Sequence, residues 1–387
     1  MAARGSIVAL LIALLPQPVV VAAQASRLPH YTRTLQLNAT ADTSANVSIG
    51  DLNGDGKLDI LLVNGRHWGG RSIVLLGDGH GHFPTVYPLT PDRYRSYSGR
   101  LVDLDGDGDL DVVLSNDSPD PKLIFLNDGA GHFRRAGGFG RSQWPTRNVG
   151  IADLNRDGLP DIVVANRADS AIAYICLNRG AGEFTAECTG FAHISTTTIT
   201  PADVNGDQRI DLVVPHRDGG QSYVYLNGGN GDFAGAKTIP FGPPNATIRM
   251  TEVADFDRDG LRDIVVIDDE HRAVSLYFGE RGGTYSAAVP LDNGPATPYA
   301  LAVVDLNRDG APDIIVGNVE APSVIFFNDG SGRRYSPVHF GDNKGVVYGF
   351  AVADLDGDGL LDIAAARSEA PSLVYFCDMV PAPKAGR

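Results

Sequence analysis

The stretch DLDGDGDLD, residues 103–111, places five aspartates in nine positions. At neutral pH this many carboxylates in one short segment repel one another unless a cation neutralises them. Close copies of the stretch occur at six other places: DLNGDGKLD (51–59), DLNRDGLPD (153–161), DVNGDQRID (203–211), DFDRDGLRD (255–263), DLNRDGAPD (305–313) and DLDGDGLLD (354–362). Successive copies start 52, 50, 50, 52, 50 and 49 residues apart. A period this constant predicts a repeat architecture.

Each repeat also contains four short segments typical of β-strands. In the sixth repeat, the apolar runs YALAVV (299–304) and DIIVGN (313–318) flank the acidic loop. A third run, IFFNDGSGRRY (325–335), ends in a turn, and a fourth, less regular segment leads towards the next loop. Helical periodicity is absent, whereas β-branched and aromatic runs between Gly, Asn and Asp turns are frequent. Four strands in each of seven repeats predict an all-β fold, a seven-bladed β-propeller with four-stranded blades.

The two ends of the repeat region complement each other. The last repeat stops at SLVYFC (372–377) and has no fourth strand, whereas HYTRTLQL (30–37) precedes the first repeat. Tyr31 in that segment stands where other repeats have Phe or Tyr. We therefore expect the N-terminal strand to close the last blade, which removes an open sheet edge. A linear array of separate small calcium modules is the alternative.

The N-terminal residues have the pattern of a secretory signal peptide. Arg4 supplies a positive charge, residues 7–15 form an apolar run, and residues 23–25 form an A-x-A cleavage site. A membrane anchor or a buried helix is the alternative, but the run is short and Pro16 and Pro18 interrupt it. We predict a signal peptide over 1–25, a propeller over 26–380 and a C-terminal tail over 381–387. The mature protein is expected to be secreted or periplasmic, without membrane insertion.

The acidic loops have the oxygen pattern of a calcium site. In D-x-[D/N]-x-D-G-x-x-D, side-chain oxygens stand at positions 1, 3, 5 and 9, and a main-chain carbonyl is available at position 7. Ca²⁺ binds six to eight oxygens, and an EF-hand loop begins in the same way. Here strands flank the loop and no glutamate follows at position 12, so the pattern differs from an EF-hand. Asparagine at position 3 of four loops still supplies an oxygen, which a solvated acidic turn does not need.

The charge of the chain supports up to seven bound Ca²⁺ ions. The loops hold 25 of the 47 acidic residues, and seven divalent cations add +14 to the formal net charge of −15, which leaves −1. The predicted ligands, with position 7 acting through its carbonyl, are Asp51, Asn53, Asp55, Lys57, Asp59, Asp103, Asp105, Asp107, Asp109, Asp111, Asp153, Asn155, Asp157, Leu159, Asp161, Asp203, Asn205, Asp207, Arg209, Asp211, Asp255, Asp257, Asp259, Leu261, Asp263, Asp305, Asn307, Asp309, Ala311, Asp313, Asp354, Asp356, Asp358, Leu360 and Asp362.

The fourth loop departs from the others at position 6. Gln208 stands there, where the other six loops have glycine. If that position needs a positive φ, a side chain costs about 1 kcal/mol. We therefore expect the fourth site to be the weakest or the most distorted.

These loops, together with the NDGxGxF turns that follow them, resemble the FG-GAP/VCBS repeat family. The resemblance covers roughly residues 30–378. The family includes the calcium-bearing propeller of integrin α-chains, a fungal lectin and propeller domains of some polysaccharide lyases. The resemblance therefore implies a propeller with calcium in its loops, while the ligand stays open because fold and function separate readily.

A ligand surface is expected on the face opposite the calcium loops. Six residues before each loop, at the start of the innermost strand, stand Ala45, Tyr97, Arg147, Thr197, Arg249, Tyr299 and Tyr348. Five residues after each loop stand Asn64, Asn116, Asn166, His216, Asp268, Asn318 and Arg367. The two tryptophans, Trp68 and Trp144, fall in loops on the same face.

Aromatic planes interleaved with arginine and asparagine suit a sugar or uronate. The predicted ligand-binding residues are Trp68, Tyr97, Trp144, Arg147, Arg249, Tyr299 and Tyr348. In the alternative interpretation, the asparagines terminate strands and the tyrosines plug the central channel. Trp68, among glycines in GRHWGG, has little core to join and is the strongest single candidate.

These features favour a binding or adhesion module for a glycan or an extracellular protein. The net charge of −15 disfavours nucleic acid as a partner. A polysaccharide-acting enzyme is an alternative, and its candidate groups are His216, Asp268 and Arg249. No catalytic residue is assigned, because no catalytic motif is present. A calcium-stabilised scaffold without a specific ligand is the third possibility.

Two smaller features remain open. His80 and His82 form a possible transition-metal pair, but they stand in an NDGxGxF-type turn that is expected to be exposed. Cys176 and Cys188 flank another such turn and can bridge neighbouring strands, which leaves Cys377 without a partner. The register of the strands decides whether the bridge forms.

Overall fold

A computed structural model describes residues 28–184 and 188–378. The predicted signal peptide (1–25) and C-terminal tail (381–387) lie outside these residues. The described chain is built from β-strands, and no helix within it has the length and apolar character needed to cross a membrane. The all-β prediction is therefore confirmed.

The strands form seven four-stranded antiparallel blades, and one pair between Val319 and Val346 joins blades 6 and 7 into a single eight-stranded sheet. The first strand, β1 (His30–Gln36), belongs to the last blade. Blade 1 contains β2 (Ser44–Gly50), β3 (Asp59–Asn64), β4 (Ile73–Leu76) and β5 (Thr85–Pro88). Blade 2 contains β6 (Ser96–Val102), β7 (Asp111–Asn116), β8 (Lys122–Leu126) and β9 (Arg134–Phe139). Blade 3 contains β10 (Thr146–Ala152), β11 (Asp161–Asn166), β12 (Ile172–Cys176) and β13 (Thr189–His193).

The remaining blades repeat this order. Blade 4 contains β14 (Thr200–Ala202), β15 (Asp211–Val214), β16 (Ser222–Tyr225) and β17 (Thr238–Phe241). Blade 5 contains β18 (Ile248–Ala254), β19 (Asp263–Asp268), β20 (Ala273–Tyr277) and β23 (Val289–Leu291), with a small hairpin of β21 (Gly279–Glu280) and β22 (Thr284–Tyr285). Blade 6 contains β24 (Thr297–Val304), β25 (Asp313–Val319), β26 (Ser323–Asn328) and β27 (Tyr335–Phe340). Blade 7 contains β28 (Val346–Ala353), β29 (Asp362–Ser368), β30 (Leu373–Asp378) and β1.

The N-terminal strand closes the ring. β1 pairs antiparallel with β30, and His30 lies opposite Asp378. Tyr31 is buried, packs on Phe340 with ring centroids 5.7 Å apart, and donates its hydroxyl hydrogen to the carbonyl oxygen of Leu361 (3.1 Å). The predicted seven-bladed ring with a shared last blade is confirmed, and the linear array is wrong.

The core lies between neighbouring blades rather than within one sheet. The second strand of a blade is buried on both faces, as in β3, all of whose residues are buried. Such strands read as continuous apolar runs because another blade covers each face. Leu52 and Val63 of blade 1, for example, pack with Leu114 and Phe125 of blade 2. The outer strands face solvent, so they are less regular in sequence.

The asparagine that opens the NDGxGxF turn connects successive blades. Asn127 of blade 2 donates its amide hydrogens to the carbonyl oxygens of Leu52 in blade 1 (2.9 Å) and of Leu110 in its own blade (3.1 Å). The equivalent asparagines of blades 3, 4 and 6, which are Asn178, Asn227 and Asn328, make the corresponding pair of bonds. A buried carbonyl that is not paired within its own blade is thus satisfied by the neighbour.

The cysteine question left open by the sequence is answered by the register of blade 3. Cys176 ends β12 and Cys188 precedes β13, and their Cα atoms lie 4.3 Å apart in a disulfide. The bridge fastens the outer strand of blade 3 to the strand beside it. Cys377 is buried in blade 7 as a free thiol, and burial raises its pKa to about 11.

Candidate functional site

The first aspartate of each acidic loop holds the loop closed. In the first loop, Asp51 accepts hydrogen bonds from the backbone N–H groups of Gly54 and Gly56, both at 2.8 Å. Both glycines have a positive φ, of 71° and 78°, which turns their N–H groups inwards. In the second loop, Asp103 binds the N–H groups of Gly106 and Gly108 in the same way.

The aspartate at position 9 of each acidic loop is part of the blade core. Asp111 is fully buried, and its two oxygens accept hydrogen bonds from the N–H groups of Leu104 (2.8 Å) and Asn127 (2.9 Å). All seven loops have this arrangement. Burial raises the pKa of the Asp111 carboxyl to about 6, although the two N–H donors act in the opposite direction. This residue therefore fixes the fold of the loop, and its remaining lone pairs can still face a cation.

The third position is asparagine in loops 1, 3, 4 and 6 and aspartate in loops 2, 5 and 7. In loops 3, 4 and 6 the side-chain amide of an asparagine donates to the aspartate at position 5, as Asn155 does to Asp157 (2.8 Å). In loops 2, 5 and 7 an aspartate stands at position 3, and no such bond is possible. Three carboxylates there have oxygens within 4.8 Å of one another; the groups are Asp103, Asp105 and Asp111, then Asp255, Asp257 and Asp259, then Asp354, Asp356 and Asp362.

Two carboxylate oxygens in these clusters are buried without a partner. Oδ1 of Asp105 and Oδ1 of Asp257 make no hydrogen bond within the described residues. Burial and the adjacent carboxylates raise the pKa of both groups. A buried, unpaired carboxylate oxygen that faces other carboxylates is unfavourable by itself but suits a hard divalent cation. Loops 2, 5 and 7 therefore have carboxylate clusters that could hold a metal ion, and loops 2 and 5 each contain an unpaired oxygen.

The fourth loop is formed as regularly as the others. Gln208 does adopt a positive φ (65°), yet its N–H donates to Asp203 at 2.9 Å, as the glycine does elsewhere. Non-glycine residues with a positive φ also stand at position 4 of loops 3, 5 and 6, namely Arg156, Arg258 and Arg308. The expected distortion of this loop is therefore absent from its backbone. Arg209 at position 7 donates to Asp207 at 2.5 Å, and loop 1 has the same ion pair, between Lys57 and Asp55 at 3.6 Å.

A pocket lies on the axis of the ring, at the opposite ends of the innermost strands from the acidic loops. Its volume is about 100 Å³. The seven residues that stand six positions before the acidic loops all line this pocket: Ala45, Tyr97, Arg147, Thr197, Arg249, Tyr299 and Tyr348. The other lining residues are Arg66, His67, Asn148, Arg167, Thr198 and Met250. We call this cavity the axial pocket.

Guanidinium groups stack on tyrosine rings around the axial pocket. The Cζ atom of Arg249 lies 3.7 Å from the ring centroid of Tyr299, and that of Arg147 lies 4.5 Å from the centroid of Tyr97. Arg66 lies over the ring of Tyr348 at 4.1 Å. Such contacts stabilise both partners and hold each guanidinium in one orientation.

Carboxylates behind the pocket hold most of these arginines. Asp269 accepts two hydrogen bonds from Arg249, from Nε (2.7 Å) and Nη2 (2.8 Å), and it also pairs with Arg217. Arg147 pairs with Asp117 at 2.6 Å. These aspartates are not among the residues that line the pocket, so the surface facing the cavity is cationic.

The tyrosine hydroxyl groups in the pocket form hydrogen bonds with neighbouring side chains of the pocket. The oxygen atoms of Tyr299 and Tyr348 lie 2.9 Å apart, and the hydroxyl of Tyr97 lies 2.9 Å from Nε2 of His67. Burial, together with the nearby Arg147, lowers the pKa of His67, so the imidazole is neutral at neutral pH. Burial raises the pKa of Tyr97 to about 12. The walls thus offer neutral hydroxyl and imidazole groups that can both donate and accept hydrogen bonds.

The two tryptophans have different surroundings. Trp68 is 61% exposed and lies beside His67, which lines the axial pocket, with ring centroids 6.0 Å apart. Trp144 does not line the pocket, because its ring stacks on Tyr174 at 3.9 Å within the packing between blades 2 and 3. The interpretation of Trp144 as a ligand platform is therefore corrected to a packing role.

The second predicted ring does not form a binding surface. Its asparagines are buried and bond within their own blades, as Asn64 does with the hydroxyl of Ser44 (2.6 Å). The residues proposed for an enzyme do not share a cavity: His216 lines a separate pocket, Asp268 pairs with His271 at 2.8 Å, and Arg249 lines the axial pocket.

The possible transition-metal pair is exposed. His80 and His82 both face solvent, and His82 lies 3.3 Å from Asp78. Within the described residues these histidines join no cluster of metal-ligating groups.

Sequence reasoning missed three cationic or basic residues of the axial pocket. Arg66, His67 and Arg167 come from loops between the second and third strands of blades 1 and 3. These loops differ in length from blade to blade, so a fixed offset from the acidic loop does not locate them. Arginines in loops on this face of an otherwise acidic chain are the sequence feature that could have identified these residues.

Comparison with known proteins agrees with this architecture. The family profile described as "FG-GAP-like repeat" matches residues 51–114, 103–164, 153–214, 203–266, 255–316 and 305–365. A lectin of Agrocybe aegerita, which specifically recognises non-reducing terminal N-acetylglucosamine, is 20% identical, with 85% of this chain and 86% of that chain covered and a TM-score of 0.55.

A second kind of solved structure is also similar. BBS1N in complex with ARL6DN, in a mercury-soaked crystal, is 13% identical, with 92% of this chain and 98% of that chain covered and a TM-score of 0.60. A lead-soaked crystal of the same complex gives 14% identity and a TM-score of 0.58. At these identities the likeness concerns the fold alone.

Proposed function

The chain belongs to the FG-GAP-like repeat family, and we propose that it is an exported, calcium-loaded binding module that holds a glycan in the axial pocket. The observation that carries the proposal is the composition of that pocket. Three tyrosine planes, four arginines and several hydroxyl groups converge on one cavity from the innermost strands and loops.

This set of groups matches the chemistry of a sugar. Sugar rings have apolar faces that stack on aromatic side chains and hydroxyl groups that need directional hydrogen bonds. Tyr299 and Tyr348 supply hydrogen bonds, since their hydroxyls form a pair that an incoming hydroxyl can replace, and the arginines stacked on their rings hold them in place. Each side chain is held from behind, so little conformational entropy is lost on binding.

Calcium is the proposed ion of the acidic loops. The donors are oxygens throughout, and the unpaired oxygens of Asp105 and Asp257 account for two of the sites directly. The ion would neutralise carboxylates that otherwise repel one another on one face of the ring, away from the axial pocket. Its proposed role is therefore to stabilise the fold, not to contact the glycan.

Export is supported by two features of the chain. The first 25 residues have the signal-peptide pattern described above. The disulfide between Cys176 and Cys188 is of the kind that persists in oxidising compartments. We propose a secreted or periplasmic location on this basis.

Glycan binding can be tested with calcium-loaded protein on an array of neutral and acidic glycans. Replacing Tyr299 and Tyr348 together by phenylalanine removes the paired hydroxyls, and we expect binding about thirtyfold weaker, at roughly 1 kcal/mol for each of two hydrogen bonds. Tyr94→Phe is the matched control, because it removes a hydroxyl that binds Asp92 outside the pocket. Absence of saturable glycan binding, or equal loss in the control, contradicts the proposal.

The calcium proposal has its own test. Extracellular calcium modules bind with a Kd of roughly 10⁻⁴ to 10⁻³ M. Because the ion stabilises the folded state through linkage, chelation should lower the melting temperature substantially, and added calcium should restore it. A melting curve that does not change with EDTA contradicts structural calcium in the loops.

A further inference from the structure

We propose that the glycan recognised by the axial pocket is acidic: a carboxylate or sulfate group on one sugar residue binds Arg66, and the next residue of the chain stacks on Trp68. This inference rests on the proposed function of the pocket and specifies its ligand class. It follows from the charge of the pocket, the unused bonding capacity of one arginine and the position of one exposed tryptophan.

The charge of the pocket is opposite to that of the chain. Five arginines lie in its wall or directly behind it: Arg66, Arg147, Arg167, Arg217 and Arg249. Three aspartates pair with them: Asp117, Asp218 and Asp269. The difference is two positive charges, in a protein whose formal net charge is −15. A cation-rich cavity in an acidic protein selects an anion, because a neutral sugar leaves the positive charge uncompensated.

Arg66 is the arginine of the pocket wall that is held by a hydroxyl group and not by a carboxylate. Its Nη1 donates to the hydroxyl of Ser368 at 2.6 Å, and its Nε is buried without a hydrogen-bond partner in the described chain. Within residues 28–184 and 188–378 it has no carboxylate partner, whereas Arg147 and Arg249 each have one. Arg66 is half-buried, and an N–H group without an acceptor is costly there, so an anion that binds the guanidinium removes that cost.

The remaining arginines are better placed to shape the pocket than to bind an anion. Arg249 already gives two of its donors to Asp269, and Arg147 is paired with Asp117. Both also lie against tyrosine rings, which fixes them further. Nη1 of Arg147 also makes no hydrogen bond within the described residues, but the carboxylate of Asp117 offsets its charge, whereas no carboxylate there offsets the charge of Arg66.

An aromatic path leads out of the pocket beside Arg66. The rings of Tyr97 and His67 meet edge to face with centroids 5.6 Å apart, and His67 meets Trp68 in the same way at 6.0 Å. Trp68 and Val86 are the two large apolar side chains that are well exposed in the described residues. An exposed indole next to a polar cavity is a natural platform for the apolar face of a sugar ring. The ligand is therefore longer than one residue.

Matched pairs of acidic and neutral probes test whether binding depends on the negative charge or on the sugar alone. The first pair is trigalacturonate and its methyl ester, and the second is a sulfated heparin tetrasaccharide and its desulfated form. We expect each acidic member to bind at least tenfold more tightly than its neutral counterpart, and the difference to shrink as salt is raised. The pair with the larger ratio identifies carboxylate or sulfate as the preferred group.

Variants locate the contact. Arg66→Gln should reduce binding of the acidic probe at least tenfold, and Arg66→Lys should retain part of it, because lysine keeps the charge but loses the planar fork. Arg135→Gln, on the exposed outer strand β9, is the control with the same change of charge. Trp68→Ala should weaken the trisaccharide more than galacturonic acid itself. Melting temperatures of all variants show whether the fold is retained.

The outcomes distinguish the two levels of the proposal. Equal binding of acidic and neutral probes, or an Arg66→Gln protein that binds the acidic probe normally, overturns the acidic ligand but leaves a glycan pocket. Binding of an acidic peptide such as pentaglutamate with no glycan bound overturns both levels and indicates a protein ligand.

Discussion

Arg100 and Glu252 line one cavity in the centre of the ring, on the innermost strands of blades 2 and 5. Arg100 donates to the carbonyl oxygen of Val149 and to the side chain of Asn148, both at 3.2 Å. Burial raises the pKa of Glu252 to about 7, although the positive charge of Arg100 acts in the opposite direction. In this cavity, burial therefore favours the protonated form of the Glu252 carboxyl over the ionised form.

Glu252→Gln should change how stability depends on pH. The folded pKa of Glu252, about 7, is above the model-compound value of 4.5, so the protonated form stabilises the fold below about pH 4.5, and this contribution is lost as the pH rises through 7. We expect the melting temperature of the wild type to fall relative to that of Glu252→Gln between pH 5 and pH 8, at constant calcium. Glu183→Gln, at an exposed position, is the control. Parallel pH profiles for wild type and Glu252→Gln contradict the assignment.

A second prediction concerns Gln208 and the strain in the acidic loops. Gln208 in loop 4 and Arg156 in loop 3 have the same φ of 65°, at positions 6 and 4. Because glycine adopts this conformation freely but loses more chain entropy on folding, Gln208→Gly and Arg156→Gly should each stabilise the protein by about 0.5–1 kcal/mol. Urea unfolding in saturating calcium measures both changes. A clearly larger gain for Gln208→Gly would mean that loop 4 is specially strained after all.

The acidic loop, taken as an element, combines two kinds of aspartate. The ninth residue is buried and bonded to two backbone N–H groups, so it belongs to the strand framework. The third residue, where it is aspartate, is left with an unpaired oxygen in loops 2 and 5. The same side chain thus serves folding at one position and ion binding at another.

Alanine substitutions in loop 2 should separate these roles. Asp111→Ala leaves two buried N–H groups without acceptors, so we expect a loss of about 2–4 kcal/mol with or without calcium. Asp105→Ala removes an unpaired carboxylate, so it should leave stability unchanged or higher in EDTA and lower than wild type in calcium. Chemical denaturation in the two buffers measures both variants. A similar response of the two variants to calcium contradicts the division.

How well the sequence predicts a residue's position depends on the element in which the residue stands. The acidic loops and inner strands keep fixed offsets, so the positions of Tyr97, Arg249 and Tyr299 around one axis follow from spacing alone. Loops of variable length have no such offset, so Arg66 was missed. Trp144 was misplaced because composition does not reveal which surface a ring packs on, and here Tyr174 covers it.

At the scale of the molecule, ring closure depends on a strand that is distant in sequence. β1 supplies the outer edge of blade 7, and Tyr31 fills the site that a Phe or Tyr of the same repeat fills elsewhere. The repeat spacing predicted this because one strand was lacking at the end and one was in excess at the start. The cysteine bridge could not be predicted in the same way, since it depends on the register of β12 and β13.

Removal of residues 28–36 should open the ring. Deletion exposes β30 as an unpaired edge and uncovers the apolar groups around Tyr31 and Phe340, so we expect a lower melting temperature and concentration-dependent association. A synthetic peptide of residues 28–38 added in trans should restore the melting temperature and the monomer, whereas a scrambled peptide should not. Light scattering and thermal melting make the measurement. A truncated protein that is monomeric and equally stable contradicts closure by this strand.

The pairing of His30 with Asp378 brings the two ends of the ring to neighbouring strands at one end of blade 7. A mechanical load applied between these ends pulls the antiparallel pair open from that end, one hydrogen bond at a time, instead of shearing all of its bonds together. Under such a load we expect β1 to separate from β30 first. This step releases one strand and leaves the strand pairs of the other six blades in place.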